Sequence, residues 1–156
     1  TCDGVALTIV DIVLSHADGT FDAVAVGLER IVLDRLDTTG EFPMGHVSDL
    51  PDPQSGAPEE LLDRARGTFT AYRLALSELR ADPYSGSLPR DATYLSWTLA
   101  AVAPLPLPER QSLLEADDAA ERLTLVTDLL RSELRAMNVI PSLPATDVAR
   151  TRWSPN

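Results

Sequence analysis

The chain has 156 residues, of which 44% are apolar, and this suits one globular domain or two apposed subdomains. All 13 basic residues are arginine, so a P-loop lysine, a Schiff-base lysine and a Ser–Lys dyad are excluded. Against 24 acidic residues the net charge is −11, and residues 1–56 alone carry ten acids against two arginines, a net −8. Such a surface repels phosphate backbones and anionic lipid, so we expect neither nucleic acid nor a membrane as partner.

Cys2 is the only cysteine, which excludes an intramolecular disulfide and a cysteine zinc cluster. A reducing, cytoplasmic location is therefore expected. No apolar run reaches the roughly 20 residues that a membrane-spanning helix needs. The sequence opens at Thr1 without a methionine, so the expectation of no targeting segment applies only to the printed residues.

The first 50 residues have the composition of β-strands. Val5–Leu14 is rich in β-branched residues, and Asp18-Gly19 marks a turn because glycine adopts positive φ without penalty. Phe21–Leu28 then predicts the second strand of a hairpin, with a bulge or close backbone approach at Gly27.

Ile31–Leu36 predicts a third strand and Glu41–Ser48 a fourth, which Pro43 confines to an edge or a bulge. Several of these strands are apolar on both faces. This pattern favours a closed barrel, or a sheet that is covered on both sides.

Proline and glycine are concentrated at the end of the β region, and residues 51–57 are predicted to be a linker. Beyond it the apolar period changes from 2 to 3.6, which predicts four helices over residues 58–140. The expected helices begin near Pro58, Asp91, Pro108 and Asp118, with Asp91 as an N-cap and Asp118 to Glu121 as a capping box.

Helices joined by short links bury facing apolar stripes by packing together, so we expect an antiparallel bundle. The first stripe runs from Leu62 to Leu79 and the last from Leu123 to Met137. The fold class is therefore α+β, a partial β-barrel or sheet followed by a four-helix bundle. Residues 141–156 lack periodicity and are predicted to be a peripheral tail.

No arrangement of residues typical of catalysis is present. His16 and His46 lack the spacing of metal ligands and are interpreted as surface side chains. Ser85 lies outside any Gly-x-Ser-x-Gly frame, and Cys2 has no histidine partner in view. The sequence therefore predicts a protein that is not an enzyme and has no metal or cofactor.

Four apolar side chains stand out because the chain has only eight aromatic residues. Phe42 and Met44 flank Pro43 beside the linker, and Tyr94 and Trp97 lie in the second predicted helix. Apolar residues at a junction between subdomains can line a peptide-binding groove. These four are the candidate peptide-binding residues, and packing between sheet and bundle is the alternative interpretation.

The order of these elements resembles the LON substrate-binding domain family, also called the Lon protease N-terminal domain family. Val24–Ile31 (VAVGLERI) is similar to a family strand, and Leu95–Ala101 followed by Leu105–Leu107 is similar to the family's entry into its bundle. Arg110–Ala116 (RQSLLEA), followed by a helix that starts at Arg122, is the closest match. The resemblance covers about Val5–Met137.

The resemblance implies a PUA-like β subdomain ahead of a helical bundle. The family's usual first strands, with a Leu-Pro-Leu-Phe-Pro signature, are absent, so residues 1–50 resemble the second half of that subdomain. The ATPase and peptidase of full-length Lon are also absent from the sequence, as in stand-alone actinobacterial members. The implied function is binding of polypeptide segments or a protein partner.

Three alternatives stay open. The chain is a self-associating structural or regulatory protein whose sheet is completed by a second copy, as a homodimer. It binds RNA through a PUA-like fold, against which its acidic charge argues. It is an unrecognised hydrolase, which would require a deep site with a paired nucleophile and base.

Overall fold

The computed structural model describes residues 2–53, 55–79, 84 and 86–139. Contacts divide the chain into two compact units: a sheet unit that ends at Pro51 and a helical unit that starts at Asp52. Three strands and four helices follow one another in chain order, which confirms the α+β fold class.

The sheet unit is a three-stranded antiparallel sheet with the order β1-β2-β3. β1 spans Cys2–Ser15, β2 spans Phe21–Asp37 and β3 spans Met44–Asp49. Residues 16–20 connect β1 to β2, and Gly19 within them has a φ of 87°. The hairpin is therefore as predicted, with the glycine at the position that requires positive φ.

β2 is one continuous strand in the region where the sequence predicted two strands. Ala6 pairs with Glu29 and Leu7 with Gly27, so Leu28 is an extra residue in β2. This bulge lies next to Gly27, as the sequence predicts. The prediction of a separate third strand at Ile31–Leu36 is wrong, because a bulge accommodates the change of pattern without ending the strand.

β3 is an edge strand and begins directly after Pro43, which fits a residue that cannot donate a backbone hydrogen bond. It pairs with the second half of β2, from Ile31 to Asp37. A Cβ atom added to Gly45 would lie 3.0 Å from Cδ1 of Leu33. Glycine therefore allows β3 to approach β2 closely at this point.

The helical unit contains α1 (Glu59–Leu79), α2 (Ala92–Val102), α3 (Leu107–Glu115) and α4 (Ala119–Val139). α4 packs against the other three helices. The predicted stripes form its core, in which the following residues are buried: Leu62, Ala65, Phe69, Tyr72 and Leu76 of α1 with Leu123, Val126, Leu130 and Met137 of α4. The side chain of Leu79 and the whole predicted tail lie outside the described residues.

Both predicted acidic caps are present. The side chain of Asp91 accepts a hydrogen bond from the backbone N–H of Tyr94 at 3.0 Å. Asp118 accepts one from the N–H of Glu121 at 2.9 Å. The carboxylate of Glu121 reaches back to the N–H of Asp117 at 2.7 Å, one residue before the donor of a standard capping box.

Among the described residues, no helix combines the length and the hydropathy that crossing a membrane requires.

Candidate functional site

Arg122, in the first turn of α4, donates several hydrogen bonds inside the helical unit. Its side chain is fully buried. Nε donates to the carbonyl of Leu113 at 3.0 Å, Nη2 to the carbonyl of Ala116 at 3.3 Å, and Nη1 to Oγ of Ser96 at 3.1 Å. Arg122 therefore joins the start of α4 to the end of α3 and to α2.

Two further residues complete the environment of this guanidinium. Nη2 of Arg122 lies 3.0 Å from Oδ1 of Asp52, and the indole ring of Trp97 stacks with its centroid 3.6 Å from the guanidinium carbon. Nε1 of Trp97 donates to Oδ2 of Asp52. We call these three residues the Arg122 cluster. Each oxygen of the carboxylate accepts a hydrogen bond from a different member of the cluster.

The chemistry of the Arg122 cluster is that of a structural ion pair. A buried guanidinium is stable only when its charge is paired and its donors are satisfied, and here one carboxylate, two carbonyls and a hydroxyl serve this purpose. The contacts hold Asp52, at the start of the unit, against α2 and α4. The cluster therefore positions the elements around it.

Sequence reasoning missed the Arg122 cluster, because an arginine is normally interpreted as a solvated charge. One signal was available. Arg122 lies four residues before Val126 and eight before Leu130, on the apolar stripe of α4, where an unpaired charge would be strongly unfavourable.

Trp97 and Tyr94 occupy different environments on α2, although one helical turn separates them. Trp97 is partly buried in the Arg122 cluster, whereas the side chain of Tyr94 is 71% exposed. α2 contains no charged residue, and Ala101 is exposed as well. The helix therefore has an uncharged surface with Tyr94 as its largest exposed side chain.

Phe42 and Met44, the other two candidates, belong to the sheet unit. Phe42 lies in the connection before β3 and is 65% exposed, and Met44 is the first residue of β3 and is 60% exposed. The structure thus places one pair of candidates in each unit, with three of the four side chains largely in solvent.

The sheet unit exposes further large apolar side chains that were not singled out from the sequence. Their exposed fractions lie between 44 and 63% for Leu14, Phe21, Val24, Val26, Leu28, Leu36 and Val47. The expectation that the strands are covered on both faces is not met at these positions. Scattered apolar residues are normal on a surface, but a group on one small sheet is typical of an interaction surface.

A metal centre finds no support here: within the ranges that the structure describes, no three His, Cys, Asp or Glu side chains are grouped so that they could hold an ion. His46 instead lies 2.6 Å from the guanidinium Nη2 of Arg35, and His16 lies 3.4 Å from Oδ1 of Asp22.

Comparison with known proteins gave a family and several relatives. Residues 4–132 match the family model described as the ATP-dependent protease La (LON) substrate-binding domain. The chain is 30% identical over 130 residues to Lon protease of Escherichia coli strain K12, and 26% identical over 129 residues to Lon protease of Buchnera aphidicola. These matches cover 81% of this chain but only 16% and 17% of the relatives, so the chain spans about a sixth of their length.

The similar solved structures include the following two. A Lon N-terminal domain protein from Xanthomonas campestris is 26% identical with a TM-score of 0.56, and the match covers 84% of this chain and 68% of that one. The N-terminal domain of Mycobacterium avium complex Lon protease is 20% identical with the same TM-score, covering 83% of this chain and 69% of that one. The second likeness concerns the fold alone.

Proposed function

The chain belongs to the LON substrate-binding domain family, and we propose that it is a non-catalytic module that binds polypeptide segments through exposed apolar side chains. The observation that carries the proposal is the number of large apolar residues exposed on the three-stranded sheet. Apolar surface of this kind gains free energy when another chain removes it from water, without requiring one particular sequence.

Phe42, Met44 and Tyr94 are the proposed contact residues. Each is a flexible or aromatic side chain that is more than half exposed, and such residues dominate the energetics of binding surfaces. Trp97 has a supporting role, because its ring stacks on the guanidinium of Arg122 and its N–H group donates to Asp52. It holds α2, on which Tyr94 lies.

The absence of lysine supports the non-catalytic part of the proposal. A Ser–Lys peptidase dyad and a P-loop both require a lysine, and this chain has none to offer. ATP hydrolysis and peptide hydrolysis of the Lon type are therefore outside its chemistry. We also propose that its net charge of −11 directs binding towards basic rather than acidic segments.

Fluorescence anisotropy with a labelled, permanently unfolded protein, such as reduced and carboxymethylated lactalbumin, tests the proposal. We expect saturable binding without nucleotide, and about tenfold weaker binding for the double variant Phe42→Ser, Met44→Ser. Leu74→Ser is the matched control, since Leu74 is 67% exposed on α1 and is not a proposed contact. No binding by the unaltered chain, or equal losses in both variants, would contradict the proposal.

Self-association is the rival outcome. Sedimentation velocity over a range of concentrations distinguishes it: a stable dimer that fails to bind the unfolded protein would show that a second copy occupies the exposed surface. A monomer that binds the unfolded protein supports the proposed function.

A further inference from the structure

Asp52 reaches the Arg122 cluster from outside the helices. It is the first residue of the helical unit, whereas α1 begins only at Glu59. The side chain of Asp52 is 19% exposed and that of Arg122 is fully buried. The ion pair therefore meets solvent at the carboxylate, on the side from which the chain enters the unit.

The guanidinium of Arg122 is held in place by contacts that do not involve Asp52. Nε and Nη2 donate to two backbone carbonyls at the end of α3, and Nη1 donates to the hydroxyl of Ser96. The ring of Trp97 stacks on the guanidinium at 3.6 Å. Because these contacts are independent of Asp52, the groups that bind its carboxylate are already in position, which lowers the cost of binding one.

Two donors from different helices converge on the carboxylate of Asp52. Nη2 of Arg122 donates to Oδ1 at 3.0 Å, and Nε1 of Trp97 donates to Oδ2. One donor for each oxygen suits a planar, charged acceptor with two oxygens. The group that occupies this place is –CH2–COO⁻, which has the size of an acetate ion. The arrangement therefore has the properties of a carboxylate-binding site whose occupant belongs to the same chain.

The segment that carries Asp52 has few other attachments. Residues 53 and 55–57 lie outside every helix and strand. Their backbone groups form no hydrogen bond with any part of the chain that the structure describes. Ala57 packs against the core and fixes the far end of the segment. Withdrawal of Asp52 would therefore break its own contacts and no backbone hydrogen bond of these residues.

Charge determines what can take the place of Asp52. A buried guanidinium without a counter-charge is strongly unfavourable, so Asp52 can leave only in exchange for another anion. The net charge of −11 opposes the approach of an acidic segment, but exchange of one carboxylate for another leaves the charge of the site unchanged. Asp52 is also tethered, so its effective concentration is high and it excludes weak competitors.

From these observations we propose that Arg122 and Trp97 form a binding site for an acetate-sized carboxylate, and that Asp52 is a latch, which occupies this site until an acidic side chain of a partner segment displaces it. The site goes beyond the proposed function. It does not use the apolar contact residues, so either proposal can fail alone.

The first test uses the whole chain with Trp153→Phe, so that Trp97 is the only tryptophan. In this background, sodium acetate is added to Asp52→Ala. We expect a saturable shift of the indole N–H signal in NMR spectra and a rise of about 3 °C in the melting temperature. Asp128→Ala is the matched control. Its ion pair with Arg131 is exposed, so acetate should move the melting temperature by less than about 1 °C and leave the indole signal in place.

Three comparisons test the specificity of the site. Chloride, and trimethylacetate, which is too large, should each act at least about tenfold more weakly than acetate. Asp52→Asn fills the site with an amide, so acetate should not affect it. Equal effects of chloride and acetate, an equal response of Asp52→Asn, or no response of Asp52→Ala would overturn the proposal. If Asp52→Ala is unfolded, acetate and not chloride should restore its helical circular dichroism, and failure to do so overturns the site.

The latch is tested with a fluorescein-labelled Gly-Ser peptide that contains one aspartate. We expect Asp52→Ala to bind it about tenfold more tightly than the unaltered chain does, and neither to bind the same peptide with asparagine. Equal affinity of the two chains would overturn the latch, and equal binding of the asparagine peptide would overturn the carboxylate preference. If acetate has no effect while unfolded protein still binds through Phe42 and Met44, the inference fails and the proposed function stands.

Discussion

The carboxylate of Asp52 lies 3.0 Å from the guanidinium of Arg122, although 70 residues separate the two along the chain. Removing one partner of a buried ion pair leaves the other charge without compensation, and this commonly costs about 3–5 kcal/mol. Asp52 is not fully buried, so the lower end of that range is expected here.

Arg122→Met should therefore lower the free energy of unfolding by about 3 kcal/mol, measured by urea denaturation. Methionine keeps much of the side-chain volume but removes the hydrogen bonds that Arg122 donates to Asp52 and to two carbonyls. Arg131→Met is the control on the same helix. Its ion pair with Asp128, at 3.7 Å, is solvent-exposed, and its loss should cost less than about 1 kcal/mol. Equal losses of unfolding free energy in the two variants would show that the ion pair of Arg122 stabilises the chain no more than an exposed one does.

Trp97→Phe should cost about 1.5 kcal/mol of stability, because phenylalanine keeps an aromatic face for Arg122 but cannot donate to Asp52. Tyr94→Phe, one turn away and largely exposed, should change stability by less than about 0.5 kcal/mol. Thermal unfolding followed by circular dichroism gives both values. If Trp97→Phe and Tyr94→Phe change the stability equally, the indole N–H of Trp97 does not stabilise the helical unit.

The same substitution should act in opposite directions at two glycines. Gly19 has a φ of 87°, so Gly19→Ala should destabilise the chain by about 1–2 kcal/mol. Gly67 lies inside α1 with nothing within 4 Å of an added Cβ, so Gly67→Ala should stabilise it by up to about 1 kcal/mol. Urea midpoints of the two variants provide the measurement, and equal signs would contradict the backbone argument.

Glu133 introduces a pH dependence into the helical unit. Burial, and to a lesser degree the negative charge of Glu109, raise the pKa of Glu133 above its ordinary value of 4.5. The folded state therefore holds this proton to a higher pH than the unfolded chain does. Ionisation of Glu133 disfavours folding. This loss of stability is absent below the pKa of Glu133 in the unfolded chain, and it grows as the pH rises through the raised pKa of the folded state.

Glu133→Gln should consequently stabilise the chain at pH 7, and the gain should disappear below about pH 4.5. Glu109→Gln should produce a smaller change of the same sign, while Glu78→Gln on the exposed surface of α1 serves as the control. Urea titrations at pH 4 and pH 7 measure the difference. A gain that is independent of pH would show that ionisation of Glu133 is not its cause.

Asp18 and Asp37 of the sheet unit affect stability at a lower pH. Hydrogen bonds from Thr20 and Thr39 lower the pKa of Asp18 and Asp37, respectively, below the ordinary value of 3.8. Their contribution to stability is complete above that value and is lost as the pH falls through the lowered pKa. The effect of this pair therefore lies at lower pH than the effect of Glu133.

The periodicity of apolar residues made the helical unit predictable. The buried charge of Arg122 was not predictable in this way. The stripes of α1 and α4 form the core because apolar residues every three or four positions can be buried in only one way. Arg122 interrupts the pattern locally, and its partners Asp52 and Trp97 are 70 and 25 residues away. Pairing of that kind depends on the packed structure, which local sequence does not encode.

The sheet was predictable in its turns and less so in its strand count. Asp18-Gly19 and Pro43 are local signals with one dominant physical meaning, and both lie where they were predicted. Glu29 and Arg30 interrupt an apolar run, which is typical of a strand end. In the structure they pair with Ala6 and Val5 beyond the bulge at Leu28, so β2 runs on.

The position of Asp52 also bears on where the helical unit can be cut from the rest of the protein. A fragment that starts at Pro58, where the apolar period changes, would keep Arg122 and Trp97 but remove the carboxylate that both contact. A fragment that starts at Asp52 would keep all three groups. The recombinant boundary for studying these helices alone therefore lies six residues before the boundary that helical periodicity would recommend.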